Sequence, residues 1–182
     1  MITASQKKKE NIAEYLLYMW QIEDLIRAFG LDIDRIRENI VDRHAGLSDE
    51  DRLAMTEWYE SLIDMMRREG VAEKGHLQLN KNVIIALDDL NARLVKDPRY
   101  AKYAAEYYKV LPIIVDLRSK AGENKSGEIE TLFNFLYGVL LLRMQGKEIS
   151  KETLAAMEEV SHFLGTLAAY YKKDYNNELE LQ

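Results

Sequence analysis

Apolar residues recur along this chain at spacings of three and four, and no stretch shows the period-two alternation of a half-buried strand. Capping and stop signals divide the pattern into seven predicted helices. Thr3 with Gln6 makes a capping box for a helix over about 4–28, which Gly30 ends. Asp32 caps a short second helix carrying Ile33, Ile36 and Ile40, which fades by His44 and Gly46. Ser48 opens a third that runs to Gly70, and Asp49, Glu50 and Asp51 suit the positive end of its dipole. A fourth covers about 76–96, and Asp97 caps a fifth, with Pro98 at its first position and Gly122 at its end. Ser126 and Gly146 bound a sixth. Ser150 opens a seventh that reaches about Lys173, leaving 175–182 as a polar tail expected to fray.

The sixth helix is apolar all round. From Leu132 to Met144 only Asn134 and Arg143 break the run, which predicts burial on every side. The expected fold is therefore all-α: a single-domain bundle (1–174) of about seven helices around a central apolar helix at about 127–145. Gly138, in its middle, costs about 1 kcal/mol of helix propensity relative to alanine and points to a neighbour's backbone passing close by. The third helix is an ordinary amphipathic one, with Met55, Trp58, Tyr59, Leu62, Met65 and Met66 on one face.

Composition agrees and narrows the function. Leucine (24) outnumbers valine (8), alanine adds 16, and glycine plus proline total only 11 of 182 residues. The absence of cysteine removes disulfides, thiolate metal sites and cysteine nucleophiles, and fits a reducing compartment. A net charge of −6 argues against a nucleic-acid partner, which needs concentrated Lys and Arg. The longest apolar run, Phe135 to Leu142, is far shorter than the roughly 18 residues of a membrane span. Lys7 to Lys9 precede an apolar stretch, but Glu10, Glu14, Glu23 and Asp24 interrupt it, so no signal peptide is read and a cytoplasmic location is expected.

A few polar residues interrupt the apolar stripes, and these are the candidate ligand-binding positions. On the first helix Glu23 lies inside the stripe of Tyr15, Leu16, Met19, Ile22 and Ile26, with Arg27 one turn on as its expected partner. On the fourth, His76, Asn80 and Asn91 share the arc of Val83, Leu87, Leu90 and Leu94. Buried amides and imidazoles need partners, either within the protein or on a ligand that they orient. The fifth helix carries Tyr100, Tyr103, Tyr107 and Tyr108 beside Leu111, Ile114 and Val115, with a kink expected at Pro112. Arg118 on that helix and Arg143 on the sixth compete for carboxylates such as Glu23, or would neutralise an anionic ligand.

Catalytic machinery is harder to find. Glu73 with His76, and Glu159 with His162, match half of the dimetal pattern, but Gly75 interrupts the first and the second lies off its apolar stripe. Ser161 and His162 are adjacent on a helix and do not face each other. No catalytic residue, metal site or cofactor is assigned.

Four segments, ENIAEYLLYMWQIEDLIRAFGLD (10–32), WYESLIDMMRREGVAEKGHLQLNKNVII (58–85), YYKVLPIIVDLRSKAG (107–122) and YGVLLLRMQGKEIS (137–150), resemble an uncharacterised all-helical family of gut bacteria, domain of unknown function 4924. The resemblance implies a small helical protein of bacterial origin and implies no activity, substrate or cofactor.

Two functions then fit the sequence. One is a non-catalytic helical protein that self-associates or binds a protein partner, without nucleic acid or membrane. The other is a small-molecule binder or enzyme in which His76, Asn80 and Asn91 orient a polar ligand and Arg118 or Arg143 holds an anion.

Overall fold

The computed structural model describes residues 2–122 and 126–179 of the chain. The Thr3 side chain, with the capping box expected of it, lies outside the described residues, as do 180–182 of the tail. Every regular element described is helical: α1 (Ile2–Glu10), α2 (Ile12–Ala28), α3 (Ile33–Ile36), α4 (Asp49–Arg68), α5 (Gln78–Lys96), α6 (Ala101–Lys120), α7 (Glu128–Met144) and α8 (Lys151–Tyr175). The protein is all-α.

Local chemistry explains most helix ends. Asp32 accepts from the Asp34 and Arg35 amides, Ser48 from Asp51 and Ser150 from Thr153, as the capping signals predict. Asp97 accepts from the Arg99 amide and opens a 3₁₀ turn, Pro98–Tyr100, that leads into α6. Gly70, at φ 68°, takes the left-handed conformation in which its own amide bonds Arg67 and that of the buried Val71 bonds Met66, closing α4 in a Schellman motif. Asn177 does the same for α8 at φ 56°, so the helix runs two residues past Lys173 to a defined cap.

Three boundaries differ from expectation. The first predicted helix is two, because Asn11 interrupts it and its side-chain oxygen accepts the Ala13 amide at 3.0 Å, starting α2 afresh. α5 begins at Gln78, so His76 precedes the helix. The cap of α7 is Gly127 and not Ser126. Glycine offers no side chain there, and the Asp88 carboxylate of α5 serves instead, accepting the Ile129 amide at 3.4 Å. A Cβ at Gly127 would lie 3.2 Å from Asp88 Oδ2, tight enough that the carboxylate would have to shift slightly to admit it.

The chain divides into two compact units, residues 1–9 with 14–82 and residues 10–13 with 83–182. The first holds α1, most of α2, α3 with the π-helical turn Arg37–Val41 that extends it, α4 and the first turn of α5. Its core is built from Leu16, Met19, Trp20 and Ile26 of α2, Ile36, Val41, and Tyr59, Leu62, Ile63 and Met66 of α4. In the second, α6, α7 and α8 pack pairwise on one another. Tyr103, Val110 and Ile114 of α6, Ile129, Leu132 and Phe133 of α7, and Val160, Phe163 and Leu167 of α8 are buried.

α7 is buried most fully over its first two turns. Phe135, Leu136, Tyr137, Leu140, Leu141 and Leu142 are only half-buried, and Met144 is exposed. The close approach expected at Gly138 is not found among the described residues: a Cβ built there meets none of their atoms within 4 Å. The tyrosines of α6 also divide. Tyr103 is core, Tyr107 is half-buried with its hydroxyl on Glu128 at 2.7 Å, and Tyr108 points out.

Candidate functional site

Three of the candidate residues meet in the first unit, and Glu23 is their centre. Fully buried in α2, its carboxylate accepts the Leu77 amide at 2.9 Å and the Asn80 side-chain amide at 2.7 Å on Oε1, while Oε2 lies 2.6 Å from His76 Nδ1. The short connection from Val71 to Leu77 makes this possible, because it delivers the imidazole and the Leu77 amide, one residue before α5, to the same carboxylate. The His76 ring stacks on Trp20, centroids 4.1 Å apart and planes within 12°. Trp20 stands three residues before Glu23 and shares its helix face, which fixes both sides of the histidine from one element.

This arrangement replaces the expected Glu23–Arg27 pair. Arg27 turns instead to Asp24 at 2.8 Å and to the carbonyls of Val71, at 3.1 Å, and Gly75. Glu23 and Arg27 thus tie down the two ends of the same connection, Glu23 at 76–80 and Arg27 at 71–75. Around this connection Asn80 Oδ1 and Arg27 Nε are buried without a hydrogen-bond partner among the described residues.

The remaining candidates belong to the second unit. Asn91 accepts the Tyr103 hydroxyl at 2.7 Å in the core. Burial holds the Tyr103 phenol well above the usual range, with Tyr107 and Glu106 acting in the same sense, so it stays a donor at any physiological pH. Arg118 is half-buried, with its Nε unbonded among the described residues. Arg143 is exposed. The polar track expected along α5 is thus two separate hydrogen-bonded features, Asn80 with Glu23 and Asn91 with Tyr103.

Asp88 and the partners of Glu23 were less legible. The Asp88 carboxyl is held above its usual range chiefly by burial, with Glu128 and Glu130 adding to the effect and the Ile129 amide opposing it. The Leu77 amide carries no sequence signal. The spacing of Trp20 and Glu23 did carry one.

Among the described residues, no three His, Cys, Asp or Glu side chains are grouped as a metal site would require. His76 is taken by Glu23, and His162 lies 3.7 Å from Glu106 of α6. An open depression of about 570 Å³ lies between the Gly30–Ile33 loop and Glu60, Asp64 and Arg67. Another, of about 550 Å³, is lined by Arg93, Lys96, Asp97, Pro98 and Arg99. Neither is lined by a candidate residue. No helix among the described residues is long and apolar enough to cross a membrane.

No curated protein and no solved structure matches the chain. The model of one family, the domain of unknown function DUF4924, matches residues 1–178, and the chain belongs to that family.

Proposed function

We propose that the protein is a non-catalytic helical protein of the bacterial cytoplasm that acts by self-association or by binding a protein partner. The observation that supports this is the placement of large apolar side chains outward: Leu53, Ile85, Tyr108, Val115, Met144 and Tyr175 are each 58–79% exposed. The polar residues that would have formed a ligand track turn inward instead and spend their hydrogen bonds on the chain itself. The lack of cysteine is in keeping with the location. Sedimentation equilibrium of the purified chain tests self-association. A weight-average mass that rises with concentration is expected, and a monomer mass from micromolar to near-millimolar concentration would sink it.

A second function, small-molecule binding, is favoured by one feature: the His76 side chain is 24% exposed beside the buried, unbonded Asn80 Oδ1. A thermal-shift screen of polar metabolites and metal ions decides it. Binding at this cluster requires a midpoint shift that His76→Ala abolishes.

A further inference from the structure

The side of α6 turned away from the core carries apolar residues where a surface helix normally carries charge. Tyr103, Val110 and Ile114 are buried. Diametrically opposite, at about 100° per residue, lie Ala101, Ala105, Tyr108, Pro112 and Val115, all exposed, Tyr108 by 58% and Val115 by 60%. Their spacings are 4, 3, 4 and 3, the a/d seam of a heptad repeat. The seam faces solvent, and no helix among the described residues covers it.

We infer that a second copy of this chain covers the seam, with its α6 running antiparallel to the first. This rests on the self-association proposed above and names its surface. Self-complementarity selects the occupant. In an antiparallel pair each a position faces a d position, so Ala105 of one copy meets Val115 of the other, and Tyr108 meets the flat ring of Pro112. The Ala105–Val115 layers set a small side chain against a larger one.

Charge follows the same dyad. Lys102, Lys109 and Asp116 occupy one edge of the seam, and in antiparallel pairing like edges meet, so Lys102 of each copy faces Asp116 of the other. Lys102 makes no ion pair among the described residues, whereas Asp116 holds Lys120 at 2.7 Å on its C-terminal side. On the opposite edge Leu111 meets its own mate. A parallel pair would lose both ion pairs and set Tyr108 against Tyr108. Lys109 meets Lys109 at the dyad, and this repulsion, with the shortness of the seam, makes the association weak and concentration-dependent.

The chain has no cysteine, so single cysteines report the pairing without background. Lys109→Cys sits beside its mate and should give a disulfide dimer under mild oxidation far faster than Lys147→Cys, an exposed control in the α7–α8 loop. Lys102→Cys should not pair with itself but should pair with Asp116→Cys in a mixture. In sedimentation equilibrium, Asp116→Lys should weaken dimerisation about tenfold or more, and Lys102→Asp combined with Asp116→Lys should restore it to within about threefold. Circular dichroism shows in each case that helix content is kept. A dimer in which Lys109→Cys links no faster than Lys147→Cys overturns the α6 pairing and leaves self-association standing. Rapid self-linking of Lys102→Cys overturns the antiparallel register. A chain monomeric at every concentration overturns both the pairing and self-association.

Discussion

Removing the Glu23 carboxylate should be among the most damaging single changes to the first unit, and its size follows from what it leaves behind. Glu23→Ala strips the acceptor from the Leu77 amide, the Asn80 side-chain amide and His76 Nδ1, and Leu77 and Asn80 are fully buried. A buried donor without an acceptor costs about 1–3 kcal/mol. The space left by the lost side-chain atoms adds a packing term, and relief of carboxylate desolvation offsets part of the sum. The expected net loss is about 3–5 kcal/mol, a large share of a typical stability of about 5–15 kcal/mol. Glu23→Gln keeps one oxygen for Leu77 and Asn80 and sets an amide against His76, which the imidazole can accept by changing tautomer, so it should cost only about 1–2 kcal/mol. Urea unfolding followed by far-ultraviolet dichroism and by tryptophan fluorescence measures both, since Trp20 stacks on His76 and senses the cluster directly. A Glu23→Ala loss below about 1 kcal/mol would refute the reasoning. Equal losses for the two variants would show that charge, not hydrogen bonding, does the work there.

Other consequences are equally direct. Gly138→Ala and Gly165→Ala, in helix interiors where a Cβ meets nothing within 4 Å, should together stabilise by about 1–2 kcal/mol and raise the melting midpoint by about 3–6 °C in calorimetry. Gly70→Ala, at φ 68°, should instead cost about 1 kcal/mol in the same assay. Asp88→Asn retains an acceptor for the Ile129 amide and removes a charge that burial, Glu128 and Glu130 all disfavour, so it should stabilise by roughly 0.5 kcal/mol at pH 7 and by less as the pH is lowered and the native carboxyl takes up its proton. The Tyr59 phenol is pushed up to about 12 by burial, with Tyr18 adding to it, so the native state holds that proton more tightly than the unfolded chain does. Its contribution is complete below about pH 10 and is lost as the pH rises towards 12, by up to about 2–3 kcal/mol, and midpoints measured across that range should fall.

The fold was legible where one residue decides a local outcome. Asp32, Ser48, Asp97 and Ser150 cap helices because a side-chain oxygen two or three residues from a free amide has little else to bond. Asn11 was missed because it ends a polar run, Ser5 to Asn11, that holds no glycine or proline to mark a break, and the period of the stripe that follows is silent on whether the backbone before it is continuous. Gly127 shows the complementary failure. Its helix is capped by Asp88, 39 positions earlier in the chain, and no local pattern encodes that partner.

The candidate residues show how far burial can be read without knowing partners. The helical wheels placed Glu23, Asn80 and Asn91 on buried faces, and all three are buried. Pairing failed because Arg27 was the nearest opposite charge in sequence, whereas Glu23 is met by groups 53 to 57 residues away. A carboxylate that already meets two buried amides and an imidazole has three of its roughly four acceptor directions engaged, so a guanidinium alongside would gain little and would leave backbone carbonyls at 71 and 75 unbonded. The competition is settled by satisfying the connection between α4 and α5 from both ends. The same logic separates the interior from the outer face of α6: polar groups that find partners inside leave no chemistry to explain, whereas Tyr108 and Val115 remain uncompensated on the surface of the isolated chain. Apolar side chains at heptad spacing on the outward face contribute nothing to the monomer's core, and their burial requires another surface.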